Sequence, residues 1–578
     1  MNEMQECPDS GYPIRCMTVL GTRIEDCALV APAHPAPGLK NALEKFIGYI
    51  EKATGTALPM YTPDTAPDRT LILVGQTGME TPAVLEARER AGKEGYVLLA
   101  DSGRLYMTGA TERGTIYGLY AFLEEQVGWR FLASGCQVIH PADEVRIPDD
   151  IAITDTPYFE SRDLLWYDSM KDPDQTNALR LNGTFMRDMK THGGGMVYGG
   201  GFVHTLATLA EMENPAVGDQ PCLTDEKVFE TVRRNVRKIL KENPDVNIVS
   251  VSQNDSYAEQ LGCQCARCRA IDEREGTPMG SLLTFVNRVA DDIREDYPDV
   301  LIDTLAYRYT RKAPKTIKPA DNVIIRLCSI ECCFSHPIAD GSCERNVAFC
   351  RDIQAWSAIC NRLYIWDYTT NFLYYLTPFP NLGVLRENVQ FFKEHHVKGM
   401  FEQGNYQSVS GEFGELRAYL LAHLLWNPDM TKEQYEEMMD EFLADYYGSG
   451  WKHIRRYIDW TTANAARQHL TIYDDVNSII PPLDEAGAPC DRIHEELLSL
   501  WDHALDEAVT AEQRAHVEKS RLAALYQYQC TAFEKGGRKI TEGNRALVDG
   551  IRAYGITHWR EGTIVPDEVD LSVSPKSW

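Results

Sequence analysis

The sequence predicts an α/β fold organised around a central (β/α)8 TIM barrel, with a small α/β domain before it and a helical region after it. Three observations carry that reading. Between about residues 160 and 405 one unit recurs: an amphipathic helix, a Pro or Gly turn, then a brief apolar strand with a polar end. No glycine-rich phosphate fingerprint follows a first strand, as a doubly wound sheet would favour. The strand ends also resemble one another in being polar and aromatic.

Residues 1–156 read as the first domain. "TLILVG", "EGYVLLA" and "RLYMTGA" are strands there, and "TERGTIYGLYAFLEEQVGW" is a helix. Residues 157–425 read as the barrel. Its clearest unit is "TDEKVFETVRRNVRKILKENPDVNIVSVSQND", with Val228, Val232, Val236 and Ile239 on one helical face and Pro244 ending the helix. "SLLTFVNRVADDIREDYPDVLIDTLAYRY" repeats it, with Leu282, Phe285, Val289 and Ile293 on the face and Pro298 at the stop. Further strands are "FESRDLLWYD", "NVIIRLCSIE", "RLYIWDY" and "KGMFEQGNY". Segments near "GGGMVYGGGFVHTL" and "QPCLT" complete the eight. Residues 426–578 read as helical. There Thr431 and Gln434 form a capping box, an apolar stripe runs through Tyr435, Met438, Met439, Phe442 and Tyr446, and Gly448 ends the helix.

Composition limits the function classes. The chain has 578 residues and a formal net charge of −27, which argues against nucleic acid or an anionic membrane as partner. Neutral or cationic small molecules and glycans are left, and self-association into a homo-oligomer stays open. No apolar run approaches the length of a membrane helix. The start, "MNEMQECPDSGYPIRC", lacks a basic and then apolar leader, so a cytoplasmic location is expected unless a leader was trimmed. Sixteen cysteines are scattered, and buried free thiols are the default for such a chain. "CQCARC" (Cys263, Cys265, Cys268) is spaced closely enough for zinc, but its neighbourhood offers no fourth ligand, so it reads as a packed thiol loop. No cofactor and no metal are expected.

In a barrel the residues just beyond each strand converge on the active site. Here these are Arg162, Asp163, Asp255, Tyr307, Glu331, Asp367 and Glu402. Several carboxylates at strand ends suit glycoside hydrolysis, which usually takes two carboxyl groups flanking the scissile bond. Asp255 and Glu402 are the first candidate pair, each among amides and aromatics: Gln253, Asn254 and Tyr257 for one, Gln403, Asn405 and Tyr406 for the other. Asp367 and Glu331 are the alternatives. His204 and His336 are candidates for binding hydroxyls, and Trp366 is either core or a platform for a sugar ring.

The first domain, through "GKEGYVLLADSGRLYMTGATERGTIYGLYAFLEEQVGWRF", resembles the domain that precedes the barrel in family 20 β-hexosaminidases and family 67 α-glucuronidases. The motifs "PYFESRDLLWYD", "SVSQNDSYAEQLGCQCARC", "IECCFSHP", "IWDYTTNFLYYLTPFPNL", "FEQGNYQSVSGEFGELRAYLLAHLLWNPD" and "YGITHWREG" resemble the DUF4838 proteins, which include glycoside hydrolase family 163. That resemblance implies an endo-β-N-acetylglucosaminidase acting on complex N-glycans. It also implies that Arg162 binds hydroxyls of the sugar. Asn254-Asp255 stands where family 20 enzymes carry Asp-Glu, so Asn254 would orient a substrate acetamide and Asp255 act as acid. Tyr307 would help to hold the sugar. An exo-acting glycosidase on another sugar, such as a uronic acid, and a non-catalytic glycan-binding protein are the alternatives.

Overall fold

The computed structural model describes residues 11–256, 262–409, 412–475, 479–480, 491–535 and 540–578. The chain forms two compact units. The first comprises residues up to Glu160 together with Asp168–Gly195, and the second comprises Ser161–Tyr167 with Met196–Trp578. The helices that follow the large sheet belong to the second unit. The segment Asp168–Gly195, expected within the barrel, packs instead with the first.

In the first unit a six-stranded sheet runs in the order Ala152–Asp155, Tyr96–Asp101, Arg104–Gly109, Thr70–Val74, Cys27–Val30, Met60–Tyr61. The strands foreseen at "TLILVG", "EGYVLLA" and "RLYMTGA" form its middle. Helix Glu112–Ala121 starts at Thr111, whose side chain accepts from the Gly114 N–H. Gly114 cannot take a side chain, because an added Cβ would lie 2.3 Å from the Gly95 carbonyl oxygen.

In the second unit seven strands form one parallel sheet. They are β1 (Ser161–Leu165), β2 (Tyr198–Gly199), β3 (Ile248–Ser250), β4 (Leu301–Ala306), β5 (Val323–Cys328), β6 (Leu363–Tyr368) and β7 (Val397–Gln403). Their order across the sheet is β1-β7-β6-β5-β4-β3-β2. This is the order of a TIM barrel with one strand fewer, and "QPCLT" is turn and coil rather than the eighth. Full closure is therefore not seen among the described residues. The sheet is strongly curled all the same. The Arg326 guanidinium on β5 donates to the Tyr198 hydroxyl on β2 at 2.5 Å, across two intervening strands. Phe202, just past β2, lies 5.0 Å from Phe401 on β7.

Those contacts define the concave face, and alternation along each strand then assigns the rest. Phe401, Trp366, Arg326 and Asp303 are concave; Glu402, Asp367 and Arg162 are convex. Convex side chains meet helices. Helix Met279–Ile293 buries Leu282, Phe285, Val289 and Ile293 as its periodicity requires. Helix Glu226–Glu242 buries Phe229, Val232, Val236 and Leu240, a stripe rotated slightly from the one read in sequence. The Thr431/Gln434 capping box opens helix Lys432–Tyr447.

Candidate active site

The interior of the curl is filled. Asp303 is fully buried and accepts from Arg326 (2.9 and 3.0 Å) and from the Tyr198 hydroxyl (2.7 Å). The Arg326 cation lies over the rings of Phe202, Tyr364 and Phe401 at 5.1–5.8 Å. Burial raises the Asp303 pKa while this cation lowers it. Such a plug leaves chemistry to the rim at the carboxyl ends of the strands.

The rim is built from loops after β2, β3, β4, β6 and β7 and from a C-terminal hairpin. After β3 the chain passes Gln253, whose amide donates to the Leu305 carbonyl and the Thr310 hydroxyl, and reaches exposed Asp255. The Tyr307 hydroxyl donates to Asp255 Oδ1 at 3.3 Å, and Arg308 Nε donates to that hydroxyl at 2.6 Å. Arg308 and His204 both hold left-handed backbone (φ 49° and 56°), a costly state for such residues that clusters at functional sites. His204 Nδ1 lies 2.9 Å from the Gln253 carbonyl oxygen, and its ring is 6.0 Å from that of Tyr307.

The hairpin His558–Arg560 and Thr563–Ile564 carries Glu561 at its turn. It is docked by Glu561 N–H to the Phe372 carbonyl (3.0 Å) and by Gly562 N–H to Gln407 Oε1 (2.8 Å). The Tyr406 hydroxyl donates to Glu561 Oε1 at 3.2 Å. Glu561 is solvent-exposed, yet partial desolvation raises its pKa, Tyr406 pulls it back, and the charge of Asp255 adds to the rise. Tyr473, 52% exposed, completes the rim and feels the charges of Glu561, Arg308 and Asp255. Sequence reasoning missed Glu561, Arg308 and Tyr473. Glu561 lay in "YGITHWREG", a motif recognised as a whole but far in sequence from the strands of the large sheet.

The remaining expected residues fall in three groups. Trp366, half-buried on the concave face, donates to Gln403 Oε1 at 2.9 Å and stacks on Tyr368. It joins Tyr307 in one apolar cluster with Leu305 and Cys328. Asn405, near the rim, accepts at its Oδ1 from the Gln407 and Ser408 N–H groups, while its buried Nδ2 has no hydrogen-bond partner among the described residues.

Glu402 and Asp367 are side by side, in register on β7 and β6, but on the convex face. Glu402 was expected at the cleft rim; alternation turns it away, because Phe401 takes the concave side. It is fully buried, neither carboxyl oxygen has a hydrogen-bond partner among the described residues, and burial first, then the charge of Asp367, hold its pKa well above normal. Asp367 accepts from Ser329 Oγ at 2.5 Å, and burial still pushes its pKa to about 6.

Four residues expected in the cleft do other work. Arg162 is fully buried on the convex face, with its guanidinium 5.2 Å over Trp426. Asn254 spends its amide on backbone, accepting from the Ala207 N–H (2.8 Å) and donating to the Asp219 carbonyl (2.6 Å), so it is not turned to a substrate. Glu331 is exposed and paired with Arg311, which also holds Asp352. His336 directs Nδ1 at the Cys333 sulfur (3.1 Å) and Nε2 at the Ala466 carbonyl (3.1 Å), leaving no nitrogen for a hydroxyl. Tyr257 lies outside the described residues. Among the described residues, thiols and imidazoles close enough together to hold a metal ion include Cys222, Cys263, Cys265 and Cys268, and Cys333, His336, Cys343 and His469.

Fold and rim together define the class: an α/β protein whose curled parallel sheet presents an acidic, aromatic rim at its strand carboxyl ends. A family model described as "Domain of unknown function (DUF4838)" matches residues 131–459, and the chain belongs to that family. No curated protein matches it. Among solved structures, the family GH115 4-O-methyl-α-glucuronidase BtGH115A, with specificity for decorated arabinogalactans, is similar in fold. Its TM-score is 0.56 at 12% identity, over 91% of this chain and 76% of that one. A GH138 enzyme targeting pectin rhamnogalacturonan II gives 0.44 at 10% identity over 92% and 93% of the two chains. CpGH84D gives 0.45 at 11% over 93% and 90%. Scores this low carry no argument for the last two. No described helix is long and apolar enough to cross a membrane.

Proposed function

We propose that this protein is a glycoside hydrolase that cleaves a β-linked N-acetylhexosamine within a glycan, with Glu561 as general acid and Asp255 as the opposing carboxylate. One observation carries the assignment: two carboxyl groups from distant parts of the chain stand at one rim in unlike surroundings, each held by a tyrosine hydroxyl, and the Asp255 charge helps to raise the Glu561 pKa. Glu561 is the one pushed toward its protonated form, which suits a group that must deliver a proton to a leaving oxygen. Asp255, oriented by Tyr307 with Arg308 behind it, faces the reacting carbon or its water. Tyr406, Tyr473 and Trp366 offer aromatic faces for sugar rings. The hexosamine part of the reading rests on the sequence resemblance to family 163. An acetamide-assisted route would need an orienting group other than Asn254.

Arg308 supports a second reading. Only its Nε is engaged in a hydrogen bond within the described structure, so the rest of its guanidinium can meet a sugar carboxylate, as an exo-acting enzyme on a uronic acid would require. Parallel assays on an aryl β-N-acetylglucosaminide, an aryl glucuronide and released N-glycans separate the two. Hydrolysis of the first and third, lost in Asp255→Asn and Glu561→Gln, supports the proposal. Hydrolysis of the glucuronide alone favours the second reading. Glycan binding without turnover, unchanged in both variants, would make the protein a binder.

A further inference from the structure

We infer that this chain binds zinc structurally, at a four-cysteine site formed by Cys222, Cys263, Cys265 and Cys268. "CQCARC" supplies three thiols, and the fourth comes from Cys222, 43 residues before Cys265, in the segment that precedes helix Glu226–Glu242. All four sulfurs lie within 4.8 Å of one another. Cys222 Sγ is 3.7 Å from Cys265 Sγ and 4.0 Å from Cys268 Sγ. A tetrahedral Zn–S bond of about 2.3 Å places ligand sulfurs about 3.8 Å apart, whereas a disulfide needs about 2.05 Å. The spacing is that of a metal shell. Cys265 caps helix Ala266–Glu275 and accepts from the Cys268 N–H at 3.4 Å, which helps to stabilise a thiolate at that position. Four soft sulfurs in a tetrahedron select zinc or iron, and a closed four-cysteine shell is the usual form of a structural zinc site.

The site bears on the rim. The strip before Cys222 is laced to the end of the β3 loop: Gly218 N–H donates to the Asp255 carbonyl, Gln220 Nε2 to the Asn254 carbonyl, and Asn254 N–H to Gln220 Oε1, at 2.9–3.1 Å. Cys263 follows soon after Asp255 in the chain. A metal joining Cys222 to Cys263, Cys265 and Cys268 therefore staples both flanks of the loop that carries Asp255.

A separate observation points to a second zinc at Cys333, His336, Cys343 and His469, whose ligand atoms also lie within 4.8 Å of one another. His336 donates Nε2–H to the Ala466 carbonyl, which leaves Nδ1 as the lone-pair nitrogen turned toward the Cys333 sulfur. That carbonyl contact is the usual way in which a metal-binding histidine is oriented. His469 Nδ1 stands 3.5 Å from Cys343 Sγ, and the Leu470 N–H donates to Cys333 Sγ at 3.4 Å.

Elemental analysis of the full chain, purified without added metal or chelator, tests both sites independently of any activity. Two zinc per chain are expected, falling to one in Cys222→Ser and to one in Cys343→Ser. If a variant does not fold, cobalt loading of the wild type with its thiolate-to-metal absorption, together with thiol counts before and after chelation, gives the same answer. Zinc at or below trace level after refolding in excess zinc, or disulfides among these cysteines by mass spectrometry, would overturn the inference. Stoichiometric iron would overturn the choice of metal.

Discussion

The second unit holds two pairs of carboxyl groups at the same end of the same sheet. Asp255 and Glu561 stand exposed at the rim, each held by a tyrosine hydroxyl. Asp367 and Glu402 are buried on the convex face, where Glu402 has no hydrogen-bond partner among the described residues. Each pair holds a carboxyl group whose pKa is raised, first by desolvation and then by the charge of its neighbour: Glu561 beside Asp255, and Glu402 beside Asp367. Only the first can reach a substrate. A shifted pKa at a strand end therefore does not by itself mark a catalytic group; the face of the strand decides. In the buried pair at least one carboxyl stays neutral, because ionising both in low dielectric is too costly.

Four measurements would break or sharpen that contrast. The largest effect is expected from Glu561→Gln and Asp255→Asn, each lowering turnover at least about a hundredfold, the lower range for a general acid or base, with the melting temperature unchanged. Near-normal rates in either variant would dissolve the rim pair. Tyr307→Phe removes one hydrogen bond to Asp255 and should cost about 1 kcal/mol, or roughly five- to tenfold in kcat/KM.

Glu402→Gln should leave turnover intact and act on stability. A carboxyl whose folded pKa is raised binds protons more tightly when folded, so it costs stability as pH rises above its unfolded value of about 4 and through its folded value. The variant should therefore gain on the wild type at pH 8, by roughly 2–4 °C in Tm, and gain little at pH 4. Lost turnover with an intact fold would return Glu402 to the catalytic list. The smallest effect concerns Glu561 itself. The Asp255 charge raises its pKa, so Asp255→Asn should lower the Glu561 pKa followed by NMR, and an unmoved titration would mean that the two groups do not sense each other.

Much of this was legible in the chain. The recurring helix, turn and strand gave the parallel sheet, because apolar periodicity and Pro stops are local signals: Leu282, Phe285, Val289 and Ile293 are buried as read. The face of each strand was less legible. Strands buried on both sides are apolar throughout, so the phase of the alternation carries no label. Trp366 and Asp367 could be placed on opposite faces, but which face was concave required Arg326 to meet Tyr198. Arg162 and Asp163, adjacent in sequence, fall on opposite faces, Asp163 in register with concave Phe401. Glu561 was hidden by distance, since it meets Tyr406 across 155 residues. Cys222 was missed for the same reason.

The first strand of the curled sheet leaves the second unit almost as soon as it enters it, since Asp168–Gly195 returns to the first unit before the chain resumes at Met196. Synthesis from the N-terminus therefore exposes β1 before either unit is complete. The first unit must wait for its last segment, and Ser161 must wait for Gly399, its partner on β7. Pairing over such a span is slow, because loop closure comes before any gain from contact. Neither unit can be obtained intact by a single cut: deleting everything before Ser161 strands Asp168–Gly195 without its sheet, and ending the chain at Gly195 carries an orphaned β1. Dissection of this protein calls for a rejoined loop between Tyr167 and Met196 rather than a truncation.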